Sequence, residues 1–349
     1  MRTSVKGASF LGGMTRRSAC WFTVLLALSW TPALNGEPDN RGAVSQLATT
    51  AGSMPSSSRP SPQIFKSHPP RFGSISSEAA PGFDKWASQA QGKNLSVLEQ
   101  HLTPALLKDI RGFWYEPFET EDDYILPQSK HAMRWYMGGK ELDDICVQRF
   151  GPALEAIRNS GATTGEDVLS IVQPRGPLDW LSIILLLDQI SRNSYRGAES
   201  KLVYGFFDPI AQDIALAAIE QGIPDQDVEI RWRFAYRNWF YMPLMHSESM
   251  AHHEAAVDEF GLLAKDVEHL SSGSSAPDAN ELEKRARFVV QGNVEAAKGV
   301  AENGMLYEKK HKDIIAQFGR YPHRNKPLGR EPTVEETEYL ENGGETFTG

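Results

Sequence analysis

Three stretches of this 349-residue chain concentrate side chains able to do chemistry. The first is 187–197, Leu-Asp-Gln-Ile-Ser-Arg-Asn-Ser-Tyr-Arg-Gly. Asp188 and Arg192 stand four residues apart in acid-first order on one helix face, with Asn193 beside them and Arg196 one turn further. They are either an ion pair locking the end of an apolar helix or part of a ligand cradle. The second is 241–254, where Pro243 is expected to turn the chain and project His246 and Glu248 from the start of the next helix. Glu248 and His252 would then share a face. That pattern suits general acid–base work, with His246 as the acid or base and Glu248 orienting it. It also suits a metal set of His246, Glu248, His252 and His311. The plain alternative is a cap, with Ser247 as N-cap and Glu248 as a first-turn acid. The zinc-protease pattern H-E-x-x-H is absent, because Ala255, Ala256 and Val257 follow His253-Glu254.

The third stretch, 318–330, carries Arg320, His323, Arg324, Asn325, Lys326 and Arg330 with no acid between Asp313 and Glu331. Guanidinium forks suit phosphate or carboxylate, and the N–H groups of a helix opening near Thr333 would add to an anion cradle. Equally, these arginines would pair with carboxylates of the body, such as Asp188 or Glu248, and staple the segment down. Three functions follow. A binding module would gather Asp188, Arg192, Asn193, Arg196, Arg320, Arg324, Asn325 and Arg330 around an anionic small molecule or an acidic peptide end. A hydrolase or transferase would use His246 or His323 as acid or base, with the arginines stabilising an anion. A metal-dependent enzyme is the third.

Composition narrows the field. Two cysteines exclude a disulfide scaffold or a multi-cysteine metal centre, and Cys146 reads as a packed residue. A net charge of −9 argues against nucleic acid as a partner. No G-x-S-x-G, G-x-G-x-x-G or G-x-x-x-x-G-K-[ST] occurs, which removes the serine-hydrolase elbow and the usual nucleotide loops; no cofactor is named by any motif. No uninterrupted apolar run reaches about 18 residues, so no integral membrane domain is expected.

The elements that must hold these residues read as helices. Apolar positions recur near every 3.6 residues over 95–114, 142–158 (with a break expected at Gly151-Pro152), 178–190, 208–221, 231–241 and 247–263, then to about Gly304, and over 306–318. Thr333-Val-Glu-Glu336 is a capping box for a last short helix. The stretch 178–190 is apolar all round and should be the central core helix. The expected body, 83–349, is thus one all-α domain.

The leader is a different polymer. Residues 1–82 carry a net charge of +5, against −14 for 83–349. Residues 1–36 place Arg2, Lys6, Arg16 and Arg17 before an apolar stretch, Pro32 and small residues, the order of a signal peptide. Residues 37–82 are rich in Ser and Pro, with acid-free 40–77 resembling a transit peptide and expected to be disordered. Such a two-part leader suggests import into an organelle such as a complex plastid, with secretion or the endomembrane system as the alternative.

Together Leu186-Leu-Asp-Gln-Ile-Ser-Arg-Asn with Tyr195-Arg-Gly, Tyr241-Met-Pro-Leu-Met-His-Ser-Glu248, and Phe318-Gly-Arg-Tyr-Pro-His-Arg-Asn325 with Leu328-Gly-Arg330 resemble the domain-of-unknown-function 924 family. Gly112-Phe-Trp-Tyr115 is similar to a Trp-containing motif near that family's start. The resemblance spans 106–347 and implies an all-helical fold related to tetratricopeptide-like superhelices; it implies no reaction. The chain departs from the pattern in its long leader, in Ile190-Ser191 where relatives carry an aromatic residue and proline, and in extra residues around 263–305.

Overall fold

The structure, a computed structural model, describes residues 93–273 and 279–347, and the leader over 1–82 lies outside them. The described chain is all-α; there is no strand among the described residues. After a 3₁₀ turn at Leu95–Gln100 the helices are α1 Pro104–Trp114, α2 Glu121–Ile125, α3 Ser129–Met137, α4 Gly139–Asn159 and α5 Gly165–Val172. Then come α6 over 177–194, α7 Gly197–Glu220, α8 Ile223–Gln226, α9 Val228–Arg231 and α10 Phe234–Met245. The rest are α11 Met250–Ser271, α12 Glu281–Gly292, α13 Val294–Phe318, α14 Asn325–Leu328 and α15 Val334–Glu341.

Helix α6 is the core helix its composition requires. Every side chain from Trp180 to Ser191 is buried. It runs as α-helix over Pro177–Ile184, widens to a π segment over Leu185–Ile190, and returns to α at Ser191–Ser194. Helix α7 has a second π segment, Val203–Phe207. Such segments are rare, and they interrupt the α register where a site needs it shifted; here they hold Asp188 and lead into Asp208. Helices α1, α4, α7 and α10 pack around α6, α5 packs on α7, and α11 and α13 form the most extensive helix pair. All described residues belong to one compact unit.

Several local expectations are corrected. The stretch 95–114 is divided at Thr103-Pro104, because Thr103 caps α1 by accepting from the Leu106 N–H at 3.2 Å. Helix α4 runs unbroken through Gly151-Pro152: the proline and Gln148, whose carbonyl loses its donor, lie on the exposed side, while Phe150, Ala153, Leu154 and Ile157 hold the other side in the core. Pro243 likewise sits inside α10, held by buried Trp239, Phe240, Leu244 and Met245. Ser247 is no N-cap; α11 opens at Met250, and the Ser247 hydroxyl accepts from the Ser249 N–H. The helix expected to end near Gly304 is divided earlier, at Asn293, which caps α13. Helix α7 is long and apolar enough to cross a membrane by length and composition, but it buries Val203, Phe207, Ile210, Ala211, Ile214, Ala215 and Ala218 in the core. The capping box at Thr333 and Glu336 and the left-handed stop at Gly319 are as expected.

Gly304 of α13 faces Phe260 of α11 so closely that a Cβ would lie 2.5 Å from the buried ring. Gly112 of α1 is exposed and has nothing within 4 Å of a Cβ. Alanine should therefore act in opposite senses. Gly304→Ala is expected to destabilise by about 1–3 kcal/mol through overpacking. Gly112→Ala should stabilise by about 0.5–1 kcal/mol through helix propensity. Urea unfolding of both variants checks the pair, and destabilisation by Gly112→Ala would contradict the packing described.

Candidate functional site

A cavity of about 800 Å³ opens beside the C-terminal part of α6 and along α10, with α3, α4 and α13 completing its wall. Arg192, Asn193, Arg196 and His246 of the expected site line it, as do His311 and the aromatic rings of Trp135, Tyr136 and Trp239. The catalytic-looking pair sits on this wall. His246 Nδ1 is 2.8 Å from Asp188 Oδ1, and Gln189 Nε2 donates to Asp188 Oδ2 at 2.6 Å. Asp188 itself is fully buried behind the imidazole.

Asp188 anchors a line of buried charges. Arg192 lies 3.7 Å from Asp188 and makes a two-pronged contact with Asp208, at 2.6 and 3.1 Å. Asp208 in turn meets Arg324 at 3.4 Å, and the Arg324 guanidinium lies over the rings of Tyr204 and Tyr321. Burial alone would raise the Asp188 pKa; His246 and Arg192 outweigh it and hold the carboxyl at about 2. Burial and then Arg192 push the His246 pKa down despite Asp188, so the imidazole is neutral at pH 7. A neutral imidazole facing an ionised carboxylate carries its proton on Nδ1. Nε2 is left as a lone pair at the cavity, with no partner among the described residues.

His311 repeats the arrangement on α13. Its Nδ1 donates to the Tyr307 carbonyl at 2.8 Å, and its buried Nε2 has no partner among the described residues. Burial first, then His246, lowers its pKa well below the ordinary value. The two rings are 6.2 Å apart, centroid to centroid. At the mouth Arg196 is clasped by Asp143 at 2.7 and 3.0 Å and by Asn193 Oδ1 at 2.7 Å.

The other expected site residues lie behind the cavity or away from it. Glu248 does not orient His246; it accepts from both terminal nitrogens of Arg330, at 2.6 and 3.0 Å, and from the Tyr321 N–H at 2.9 Å. Nor do Glu248 and His252 act as a facing pair, since His252 Nδ1 is 2.8 Å from the Ser247 hydroxyl. Arg320 and Asn325 both bind Glu336. His323 is outside the cavity lining, and burial with Arg324 and Arg330 drives its pKa to about 3. No group of three or more side chains able to hold a metal is found among the described residues: His246 and His311 are neighbours, but Glu248 and His252 do not join them. Cys146 is buried, its thiol pushed up to about 12 by burial.

Sequence reasoning missed Asp208, Asp143 and Phe347. Asp208 was hidden because Asp-Pro reads as a helix start, whereas α7 runs straight through it. Asp143 is one acid among several on an exposed helix face. For Phe347, the aromatic lining residue after the last helix, no periodicity gives a signal.

An all-α fold with a buried carboxylate–imidazole pair on the wall of one large cavity defines the class of protein. Residues 110–344 match the family described as "Bacterial protein of unknown function (DUF924)", and the chain belongs to that family. A solved structure from Agrobacterium tumefaciens, of a protein of unknown function, is 27% identical; the match covers 68% of this chain and 98% of that one, with a TM-score of 0.43. No curated protein matches.

The buried imidazoles predict a pH dependence. A histidine whose folded pKa lies below 6.5 binds fewer protons than it does in the unfolded chain, so its contribution is complete above about pH 6.5 and is lost as pH falls. For His323, at about 3 when folded, the loss is about 1.4 kcal/mol per pH unit below that point. Glu259, raised to about 7 by burial, acts in the opposite sense. Denaturant unfolding between pH 7 and 5 should therefore show a stability slope that His323→Gln makes smaller by about one proton. An unchanged slope would mean that His323 is not held neutral.

Proposed function

We propose that this protein is an enzyme whose substrate is a small organic molecule bound in the cavity, and that His246, oriented by Asp188, exchanges a proton with it. One observation carries the reading: the 2.8 Å contact between Asp188 and His246 Nδ1, which leaves Nε2 as an unpartnered base on the cavity wall. A positioned base of this kind contributes about 10²–10⁴-fold to a proton-transfer step. Asp188 fixes the tautomer, and Gln189 and Arg192 fix Asp188. The suited reactions begin by removing a proton from a hydroxyl or N–H group, as in hydrolase or transferase chemistry.

A second reading, recognition of an anionic small molecule or an acidic peptide end, is favoured by Arg192, Asn193 and Arg196 lining the same cavity. On this reading a ligand carboxylate or phosphate replaces Asp143 at Arg196, the partly exposed arginine at the mouth. The positive segment 318–330 supports the cavity from behind, since its arginines are engaged by Glu248, Asp208 and Glu336.

A ligand that binds only the folded chain raises its melting temperature with concentration. A thermal-shift panel of alcohols, phenols, amines, carboxylates and phosphorylated compounds should yield a saturable shift, and substrate turnover should fall about 10²–10⁴-fold in His246→Asn. Diethyl pyrocarbonate, which acylates a free imidazole lone pair, should modify His246 more slowly in Asp188→Asn, where an amide can turn the tautomer round. Turnover that survives both substitutions would sink the acid–base reading. A shift given by anions alone and abolished by Arg196→Ala would favour the second.

We also propose that residues 1–82 direct import into an organelle, or failing that into the secretory route, on the strength of their basic, Ser- and Pro-rich composition. A fluorescent protein carrying this segment should leave the cytosol of a plastid-bearing cell. Uniform cytosolic fluorescence would refute it.

A further inference from the structure

The inner wall of the cavity is partly covered by the chain itself. Beyond the last helix, the segment 344–347 returns along α13 and lays the ring of Phe347 flat on the imidazole of His311, with centroids 3.5 Å apart and planes 19° from parallel. Phe347 lines the cavity and remains half-exposed. Apart from the packing of the Phe347 ring against the core, its anchors are few. Lys310 meets Glu345 at 2.5 Å in a half-buried ion pair, and the Tyr339 hydroxyl donates to the Glu345 carbonyl at 3.3 Å. With about a third of each side chain in water, the pair remains partly screened. Beneath the ring, His311 presents a flat face and an Nε2 lone pair that no described residue satisfies. His246 adds a second free Nε2 on the same wall.

We infer that the face of His311 is an aromatic subsite, occupied in this structure by Phe347 and taken over by the ring of a ligand that carries a hydroxyl or N–H donor. The inference rests on the cavity being a ligand site, and it names the class of molecule: a planar aromatic ring with a donor, such as a phenol. The imidazole offers a flat face on which a planar ring lies at van der Waals separation, as Phe347 does. The Nε2 of His246, whose ring stands steeply inclined to His311 at 6.2 Å, supplies the acceptor for the donor, which an aliphatic ring could use but could not align by stacking. Arrival of the ligand displaces Phe347 without unfolding a helix, because residues 345–347 lie beyond Gly344, whose N–H closes the last helix on the Tyr339 carbonyl at 2.8 Å.

The experiment is a calorimetric titration of the full chain with phenol, and with cyclohexanol as the non-aromatic control. A site covered nine-tenths of the time binds its ligand about tenfold more weakly than an open one. Phe347→Ala should therefore bind phenol about tenfold more tightly than the wild type, with a smaller gain for cyclohexanol. Phe347→Trp, which keeps a ring in place, should bind no more tightly than the wild type. Phe347→Ala combined with His311→Gln should lose the gain. Equal phenol affinity in wild type and Phe347→Ala would overturn the inference, as would an equal gain for cyclohexanol or full retention in the double variant. All these variants keep His246 and Asp188, so failure here leaves the acid–base reading to be judged by His246→Asn alone.

Discussion

The structure depends on a buried line of alternating charge, Arg324–Asp208–Arg192–Asp188, ending on His246. Asp188 and Asp208 are essentially inaccessible, and Arg324 nearly so. Taking one such charge from water costs several kcal/mol, a cost offset only when each ion meets good partners. Three of the four do: Asp208 is shared by two guanidinium groups, Arg192 spans two carboxylates, and Gln189 fills the remaining oxygen of Asp188, while Arg324 is held more loosely, 3.4 Å from Asp208 and over two tyrosine rings. Removing one member would strand its neighbour. Side chains from α6, the start of the helical part of α7 beyond its π segment, the turn after α10 and the 3₁₀ turn before α14 are thereby tied into one unit.

That constraint sets the chemistry of the wall. Two carboxylates balance two guanidinium groups, so the line carries no net charge as it reaches His246. The imidazole, buried and near Arg192, stays neutral, yet Asp188 still fixes where its proton sits. A neutral ring with a fixed tautomer is a base that needs no prior deprotonation at pH 7. His311 reaches the same condition by another route, with a backbone carbonyl in place of the carboxylate. The cavity therefore offers acceptors at its inner wall and paired charges at its mouth.

Much of this was legible in the sequence. The unbroken apolar run of α6 announced its burial, and the acid-first spacing of Asp188 and Arg192 announced an ion pair where the run ends. Helix positions followed the 3.6-residue period, but their ends did not. Pro152 and Pro243 looked like breaks, and only tertiary packing decided that the helices continue. The partners of the charged residues were less readable, because they are set by contacts between distant helices. Glu248 lies two residues from His246 and was the natural orienter by spacing, yet Asp188, 58 residues away, holds the ring. Asp208 carried no local signal, since its role exists only once α6 and α7 pack.

The positive segment shows why composition alone could not separate its two roles. Four cations without an intervening acid look like an anion site, and the body around them carries a net charge of −14. In such a body carboxylates are the nearest anions, and in the folded chain they engage the arginines. Glu248 takes Arg330, Glu336 takes Arg320, and Asp208 takes Arg324. The segment is then a staple whose middle arginine reaches the charge line from behind. Its distance from the cavity does not make it irrelevant. Arg324 steadies Asp208, Asp208 steadies Arg192, and Arg192 with Gln189 steadies the carboxylate that orients His246. The three chemically rich stretches thus form one device, in which two face the cavity and the third holds them at their angles.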